Sequence, residues 1–499
     1  MKNKAFVYTT GAYLLCLASM IALMGHPFTY PLDDTYIHLA IGRTLANSGI
    51  WGVQASDPAA ASSSPLYSLL MATLFWMTPA KLGALDLYVP LLLNAVLGTL
   101  LVFLWYEVLA GNPWRVTGVL LSACAVPLFA LSILGMEHVM HVLVATALAV
   151  TASRMIAAET PARPLLLAAL AALAVATRYE SVFLIGPLML WAAARRQWAN
   201  SVALGAGAAV PLLAFGLYWM SKGGFFLPNP LIVKRINPAE VHGMLEFARK
   251  TLENLRGNLV SSGGLTLLAT TLGCVLLLTL NIRDRARVRT ANLILATTVI
   301  CATLGQFTFA VTSGWLYRYE AWLIALNVLT FVLLLGDLGL RARAATCALL
   351  VLAAAAAPRA TLATVFSVMS ANDRRLEHVD PAKFVHDYYP GDTVAVNDLG
   401  AMAFFSQGTR FLDIYGLGNN EPVRFRMRNG GYDQESLRGW TERSGARIAV
   451  VQVCWADINK RLPAEWPLVA LWRIPRNMAF QDKLVAFLAV APGEAEKLS

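Results

Sequence analysis

The sequence predicts a polytopic α-helical membrane protein of about 11 transmembrane helices, with juxtamembrane helices in the first outer loop and a C-terminal soluble α/β domain. Three observations predict this. Of the 499 residues, 57% are hydrophobic and 14% are charged, with a mean hydropathy of +0.56. Soluble domains carry about 25% charged residues. Apolar runs recur along the first 357 residues, and the composition changes after Ala357.

A transmembrane helix needs roughly 20 predominantly apolar residues. Eleven apolar runs of the chain predict such helices. A twelfth run, 65–79, is shorter and follows a serine-rich segment. It predicts a helix that lies in the membrane interface, with Tyr67 and Trp76 as amphipathic anchors. The first of the eleven runs, residues 5–24, resembles a signal-peptide core, but its length and the lack of a clear cleavage site favour a retained membrane anchor. The predicted spans are 5–24, 85–109, 116–133, 139–157, 164–177, 181–194, 198–219, 265–281, 291–311, 320–336 and 343–357.

The charges predict the orientation of these spans. With the N-terminus inside, the inner loops hold 13 Lys and Arg against 4 Asp and Glu, which accounts for +9 of the net charge of +10. This follows the positive-inside rule, so nucleic-acid binding is not needed to explain the basic pI. An odd number of spans then places the C-terminal tail outside.

The tail, residues 358–499, mixes charge with short β-like runs at 393–397, 411–415 and 448–453. It is long enough for a small α/β domain. We therefore predict a transmembrane catalytic domain over 1–357 and an extracytoplasmic α/β domain over 358–499. The tail motifs Asn397-Asp398-Leu-Gly400 and Asp413-Ile-Tyr-Gly416 resemble strand ends with tight turns. They favour either acceptor docking or a packed domain that braces the outer loops.

Two adjacent carboxylates, Asp33 and Asp34, directly follow the first span. Carboxylates at a membrane edge need water, a cation or basic partners. A partly desolvated one beside a like charge can have a raised pKa suited to general-base catalysis. The alternative is an N-cap of a helix predicted over 36–47, and one carboxylate could cap while the other is catalytic. The acidic pair could also bind a divalent cation, as could Asp34 together with Glu137.

Four bases fall on the same predicted outer face. An arginine can hold a phosphate through its planar fork and a lysine as a point charge. Two of the arginines, Arg178 and Arg318, also have alternative acidic partners nearby in the sequence. The four bases are Arg178, Lys234, Arg235 and Arg318; the alternative partners are Glu137 or Glu180 for Arg178 and Glu320 for Arg318.

His138 and His141 lie on adjacent turns of one predicted helix, next to Glu137. This spacing suits metal ligation, but a third ligand at a defined spacing is missing. The favoured interpretation is that both are helix-end histidines with ordinary hydrogen-bond partners, and no metal ligand is assigned.

In this order, the motifs resemble those of the GT-C superfamily of integral-membrane glycosyltransferases, and more narrowly the mycobacterial terminal arabinofuranosyltransferase type and its bacterial relatives. The resemblance covers nearly the whole chain. The matching segments are Asp33-Asp34, Ser64-Pro65-Leu66-Tyr67, Gly135-Met136-Glu137, Thr177-Arg178-Tyr179-Glu180, Pro228-Asn229 with Lys234, and Arg318-Tyr319.

The resemblance implies an inverting glycosyltransferase, with an arabinofuranosyl donor as one option, in a bacterial cytoplasmic membrane. A polyprenyl-phosphate sugar would be the donor, and a glycan, lipid or protein of the cell envelope the acceptor. Asp33 or Asp34 would be the base, with Asp33 ranked first. The implied donor-binding residues are Arg178, Lys234, Arg235, Arg318, Tyr319, Glu137, His138, Glu180, Tyr67 and Asn229.

Two other functions stay open at this point. A transporter or flippase of lipid-linked saccharides would explain the spans and the outer bases, but it predicts ionisable residues deep within the spans. A sensory or scaffolding protein would leave Asp33, Asp34 and the four bases unexplained.

Overall fold

A computed structural model of the chain describes residues 2–25, 27–78, 83–234, 243–283, 288–311, 314–339, 341–429, 431–453, 458, 460–475 and 483–499. The helices are α1 (Lys2–Met24), α2 (Asp33–Ser48), α3 (Pro65–Met77), α4 (Val89–Val108), α5 (Arg115–Ala125), α6 (Leu128–Ile133), α7 (His138–Ile156), α8 (Pro164–Thr177), α9 (Val182–Ala194), α10 (Trp198–Ser221), α11 (Asn229–Val233), α12 (Met244–Val260), α13 (Ser262–Arg283), α14 (Thr290–Phe309), α15 (Ala321–Leu338), α16 (Ala342–Arg374), α17 (Asp380–Tyr388), α18 (Gly400–Phe405), α19 (Asn420–Asn429), α20 (Gln434–Ser444) and α21 (Glu494–Leu498). The strands are β1 (Thr393–Val396), β2 (Arg410–Asp413), β3 (Ala446–Gln452), β4 (Leu468–Arg473) and β5 (Leu484–Ala489).

Within the described ranges, 8 helical segments are long and apolar enough to cross a membrane. They are 4–24, 85–108, 138–156, 198–221, 262–280, 290–309, 321–338 and part of 342–388. The other three predicted spans are present as shorter helices, α5 with α6, α8 and α9. The predicted interfacial helix is α3. The predicted fold class, a helical membrane protein with a small C-terminal sheet, is confirmed.

Two spans differ from their predicted limits. The run 116–133 is broken between α5 and α6, where Pro127 has a positive φ of 20°. A proline there removes a backbone donor from the helix ladder. The last span does not end at Ala357: α16 continues through Pro358 to Arg374. The change in composition after Ala357 is therefore a change of surroundings along one helix. The predicted domain boundary stays a prediction.

The chain forms two compact units. The first unit contains Met1–Ala22, Leu91–Ala214 and Ala248–Val365; the second contains Leu23–Pro90, Phe215–Phe247 and Phe366–Ser499. The second unit thus combines the segment after the first span with the C-terminal α/β region.

The sheet of the second unit has the strand order β2-β1-β3-β5-β4. Strand β1 is parallel to both β2 and β3, whereas β5 is antiparallel to β3 and β4. The three predicted strands correspond to β1, β2 and β3. Val451 of β3 belongs to a buried core with Leu437, Trp440, Ile458 and Trp466, so this region has the buried apolar surface that an α/β layer requires.

Helices α2 and α3 pack closely within the second unit. A Cβ at Gly42 would lie 2.8 Å from the Cβ of Met71, so a glycine is needed where the helices cross. The ring of Tyr67 meets that of His38 edge-on at 5.2 Å, and Tyr67 is fully buried. The predicted substrate-binding Tyr67 is therefore part of this helix contact.

Candidate active site

Asp33 is the first residue of α2, and its carboxylate is bound by another helix. The N-cap of α2 is Leu32, in extended conformation, so the predicted N-cap function of Asp33 or Asp34 is wrong. The Asp33 Oδ2 accepts a hydrogen bond from the backbone N–H of Gly400 at 2.6 Å, and Oδ1 accepts one from Ala401 at 2.7 Å. These N–H groups belong to the first turn of α18, which a carboxylate stabilises.

Gly400 is needed because of this approach. A Cβ at position 400 would overlap the carbonyl oxygen and the carboxylate of Asp33. Gly400 is not among the glycines with a positive φ, so the tight turn predicted from its motif does not explain it. Gly416, in the second tail motif, does have a φ of 100°.

Asp398 lies beside Asp33, just past the carboxyl end of β1. Its Oδ2 lies 2.8 Å from Nε2 of His378, and carboxylate oxygens of Asp33 and Asp398 lie within 4.8 Å of each other. The chain leaves β1 for β2 on one side and returns to β3 on the other. This is the switch point at which open α/β sheets bind ligands. Asn397 holds the end of β1 against β3: its side chain donates a hydrogen bond to the carbonyl of Gln452 and accepts one from the N–H of Gln452.

Burial raises the pKa of Asp33 well above its usual range, and the neighbouring charge of Asp398 raises it further. Burial also raises the pKa of Asp398. Two close carboxylates in a dry setting share one proton, because both cannot ionise cheaply. Ligand atoms of Asp33, His378 and Asp398 lie within 4.8 Å of one another, so this trio could instead hold a divalent cation. That group does not include Asp34 or Glu137.

Asp34 contacts the predicted phosphate-binding lysine. Its Oδ1 lies 3.6 Å from Nζ of Lys234, which directly follows α11. The Asp34 side chain is 24% exposed and that of Lys234 32%, whereas Asp33 is 5% exposed. A carboxylate and an ammonium thus lie together at an accessible place in the second unit. Arg235 lies outside the described residues.

The Asn229 side chain is hydrogen-bonded within the fold, at the start of α11, and does not face solvent. Its Nδ2 donates to the carbonyls of Gly416 and Leu417, at 3.1 and 3.2 Å, and to Oδ1 of Asn420 at 3.3 Å. Its backbone N–H donates to the carbonyl of Ala60 at 3.0 Å. Asn229 is fully buried. It ties the start of α11, and hence Lys234, to the loop after β2.

Asp413 organises the same loop. Its carboxylate accepts backbone hydrogen bonds from Tyr415, Gly416 and Gly418, at 2.9, 3.1 and 2.7 Å. Burial nevertheless raises its pKa to about 6. Asp413 therefore has a structural function.

In the first unit, Arg178 is held by two carboxylates. Its Nη1 donates to Oε1 of Glu137 at 2.6 Å, while Nε and Nη2 donate to the two oxygens of Glu180 at 3.2 and 3.1 Å. Arg178 is 7% exposed. The ion-pair alternative holds for Arg178, with both of its predicted partners together, and its fork is occupied by this protein's own carboxylates.

His138 and Arg318 lie close to this ion-pair cluster. Nε2 of His138 lies 3.8 Å from Oε1 of Glu137. Nη1 of Arg318 lies 3.0 Å from the sulfur of Met136, and Nη2 donates to the hydroxyl of Tyr319 at 3.2 Å. Arg318 is 3% exposed, so it is buried among these groups.

The alternative partner predicted for Arg318 is wrong: Glu320 pairs with Arg359. Arg359 also donates to the carbonyl of Tyr317 at 2.5 Å and to that of Ala125 at 3.0 Å. Leu316 and Tyr317 have positive φ values of 59° and 58°, which strains a non-glycine backbone. Arg359 thus stabilises the turn that precedes Arg318 through its hydrogen bond to the carbonyl of Tyr317.

Comparison with solved structures identifies the architecture. The crystal structure of ArnT from Cupriavidus metallidurans bound to undecaprenyl phosphate superposes with a TM-score of 0.56 at 14% identity, over 98% of each chain. Its apo state gives the same TM-score at 12% identity, over 98% of this chain and 99% of that one. The chain has the GT-C fold. The fold predicted from the motifs is therefore confirmed, and the chain is an integral membrane protein.

Three other comparisons accompany this GT-C match. The mycobacterial arabinofuranosyltransferase AftD gives a TM-score of 0.48 at 16% identity, over 97% of this chain and 40% of that one. Residues 370–488 match the sequence family described as a domain of unknown function, DUF8728. No curated protein matches the chain significantly in sequence.

Sequence reasoning missed three residues of this GT-C chain. The sequence predicts Asp398 only as part of a turn motif, and it predicts no function for His378 or Arg359. Asp398 could have been found, because a carboxylate directly after a buried strand at a sheet switch point marks a ligand site. His378 and Arg359 lie in or next to a long helix, where their partners cannot be inferred from the neighbouring sequence.

Proposed function

We propose that the protein is an inverting glycosyltransferase that moves a sugar from a polyprenyl phosphate to a hydroxyl of a cell-envelope glycan, lipid or protein. The reaction would take place on the outer face of a bacterial cytoplasmic membrane. The observation that carries the proposal is the contact of Asp34 with Lys234 at 3.6 Å, in a chain with the GT-C fold. A base and a phosphate countercharge side by side suit this transfer. The undecaprenyl phosphate bound to ArnT supports a lipid phosphate as the ligand.

The chemistry follows from these two groups. Asp34 accepts the proton of the acceptor hydroxyl while that oxygen attacks the anomeric carbon of the donor sugar. The bond between the anomeric carbon and the phosphate oxygen breaks on the opposite side, which inverts the configuration. The electron pair stays on the departing polyprenyl phosphate, and Lys234 stabilises its added charge.

Asp34 is a better candidate for the base than Asp33, although the resemblance to the GT-C superfamily ranks Asp33 first. Both oxygens of Asp33 accept backbone hydrogen bonds from α18, and its side chain is buried. Asp34 keeps a quarter of its side chain exposed. A general base must come within hydrogen-bond distance of the hydroxyl that it deprotonates.

We propose Lys234 as the main phosphate-binding residue, together with Arg235, which follows it in the sequence. Arg178 is held by Glu137 and Glu180. Displacing either carboxylate would leave a buried charge without compensation, which is costly. We therefore propose that Arg178, Glu137 and Glu180 support the fold of the first unit and do not themselves bind the donor phosphate.

The test uses purified wild type, Asp34→Asn, Asp33→Asn and Lys234→Gln in nanodiscs. Each is incubated with radiolabelled polyprenyl-phosphate pentoses and hexoses, arabinofuranose among them, plus a crude envelope acceptor, and released polyprenyl phosphate is measured. Asp433→Asn, an exposed N-cap of α20, is the matched carboxylate control. We expect release by wild type and by the control, and no release by Asp34→Asn. Full activity in a folded Asp34→Asn variant would refute Asp34 as the base. Binding of a donor without release from any donor would favour a lipid-sugar transporter.

A further inference from the structure

The site around Asp33 includes side chains of the C-terminal region to which the sequence motifs assign no catalytic function. We infer that Asp398 and His378 are positioning residues: they hold Asp33, and through it the first turn of α2, so that Asp34 faces the acceptor hydroxyl. This inference rests on the proposed function and deepens it. It makes the C-terminal α/β region a part of the catalytic site.

The first step is the restraint on Asp33. Its carboxylate accepts hydrogen bonds from the N–H groups of Gly400 and Ala401, and the carboxyl group of Asp398 and the ring of His378 lie within 4.8 Å of it. The positions of Asp398 and Gly400 are coupled, since Asp398 lies in the short connection after β1, two residues before Gly400, the first residue of α18. A change at Asp398 therefore acts on every contact that holds Asp33.

The second step is the restraint on Asp398 itself. His378 lies 2.8 Å away through Nε2, and its ring is only 1% exposed. Arg374 lies 3.2 Å from the same ring and donates to Oε2 of Glu377 at 2.9 Å. Residues Arg375–Val379 form a π-helical turn between α16 and α17, which turns Glu377 and His378 inward. Such single π turns are found frequently at functional sites.

The third step connects this network to the substrate side. Asp34 follows Asp33 in the first turn of α2, so any rotation or shift of that turn moves its carboxylate away from Lys234. Misplacing a reacting group by about 1 Å can cost about 100-fold in rate. The site has charged and titratable groups from every element that carries it: Asp33, Asp34 and Tyr36 on α2, Lys234 after α11, Arg374 at the end of α16, Glu377 and His378 in the π turn, Asp398 after β1, and Tyr415 after β2.

The experiment compares Asp398→Ala, Asp398→Asn and His378→Gln with wild type, using Asp433→Asn as the control within the same region. An asparagine can both accept and donate a hydrogen bond, so it can replace a carboxyl group that only positions its neighbours. We expect Asp398→Ala to lower kcat about 100-fold at an unchanged KM for the donor. Asp398→Asn should recover most of the rate, and His378→Gln should lie between the two.

Two results would overturn the inference. One is a folded Asp398→Ala variant with the kcat of wild type. The other is an Asp398→Asn variant as inactive as Asp398→Ala, because Asp398 would then act through its charge on the substrate or on a cation. If wild type itself releases no polyprenyl phosphate, the proposed function fails, and hydrogen exchange of the 399–405 segment decides the positioning. Exchange should accelerate at least about tenfold in Asp398→Ala and stay as in wild type in Asp398→Asn; equal exchange in both would refute the inference.

Discussion

The carboxylate of Asp33 accepts a 2.6 Å hydrogen bond from the backbone N–H of Gly400, a residue 367 positions away in the chain. This contact joins the segment after the first span to the first turn of α18. It also explains why position 400 has no side chain, since a Cβ there would overlap Asp33.

Replacing Gly400 by alanine should therefore damage both stability and activity. The added Cβ must push Asp33 or α18 aside, and overpacking of this kind costs about 1–3 kcal/mol. We expect a lower Tm in detergent and a reduced kcat. Gly439→Ala in α20 is the matched control: its Cβ would meet only the mobile end of Arg443, at 3.1 Å. A Gly400→Ala variant as stable and active as the control would contradict the close approach.

Arg178 should behave as a structural residue. Arg178→Gln leaves Glu137 and Glu180 buried without their common partner, which we expect to cost roughly 3–5 kcal/mol. The KM for the donor of the protein that remains folded should not change, whereas Lys234→Gln should raise it. Thermal unfolding and donor titrations measure the two effects.

The exposed pair Arg438 and Glu465 provides the control for Arg178. Both side chains are nearly half exposed, so Arg438→Gln should leave Tm unchanged. An Arg178→Gln variant with a normal Tm and a raised KM for the donor would restore Arg178 as a phosphate ligand.

The sequence was sufficient for features that depend on local pattern. Apolar runs located the spans, and short β-like runs located β1, β2 and β3. It located neither β4 nor β5; β4 is an edge strand with mostly exposed residues, and its sequence lacks an alternation between apolar and polar positions. The prediction of Asp33 as an N-cap failed for a related reason. A capping rule considers the next turn of the same helix, whereas the N–H groups that Asp33 binds belong to α18.

Long-range pairing was equally unpredictable for the buried arginines. Glu320 is two residues from Arg318 but pairs with Arg359, which lies 39 positions further on at the end of an apolar run. Proximity in sequence suggested the wrong partner, because Arg318 contacts Met136 and Tyr319, whereas Glu320 contacts Arg359.

The Arg359–Glu320 pair permits a test by paired substitution. Arg359→Met leaves a buried carboxylate uncompensated and should cost about 3–5 kcal/mol. Arg359→Met combined with Glu320→Met removes both charges and should be more stable than the single variant by at least about 1 kcal/mol. Thermal unfolding of the three proteins measures this. A double variant less stable than Arg359→Met would show that Glu320 makes stabilising contacts other than its pair with Arg359, and would contradict the prediction.

The proposed orientation can be tested with reporters. The charge distribution predicts a cytoplasmic N-terminus and an extracytoplasmic C-terminal region. Alkaline phosphatase fused after Ser499 should be active, and the same enzyme fused after Ala158, in a predicted inner loop, should be inactive. Fluorescent-protein fusions at both sites should give the inverse pattern. The opposite result at Ser499 would place the acidic site on the cytoplasmic face and would refute the proposed outer-face reaction.

Asp413 predicts a pH effect on stability with a definite sign. Its folded pKa is about 6 because of burial, whereas an aspartate in the unfolded chain titrates near 3.9. Between these values the unfolded chain binds fewer protons, so raising the pH from about 4 to about 6 destabilises the folded protein, by about 2–3 kcal/mol in total. Asp413→Asn cannot titrate and lacks this loss. The stability of wild type relative to Asp413→Asn should therefore fall over that interval and stay constant above it, as measured by thermal unfolding of both proteins from pH 4 to 7.5. Groups common to both proteins cancel in the difference, so a difference that rises with pH would mean that the three backbone N–H groups outweigh burial and keep Asp413 ionised.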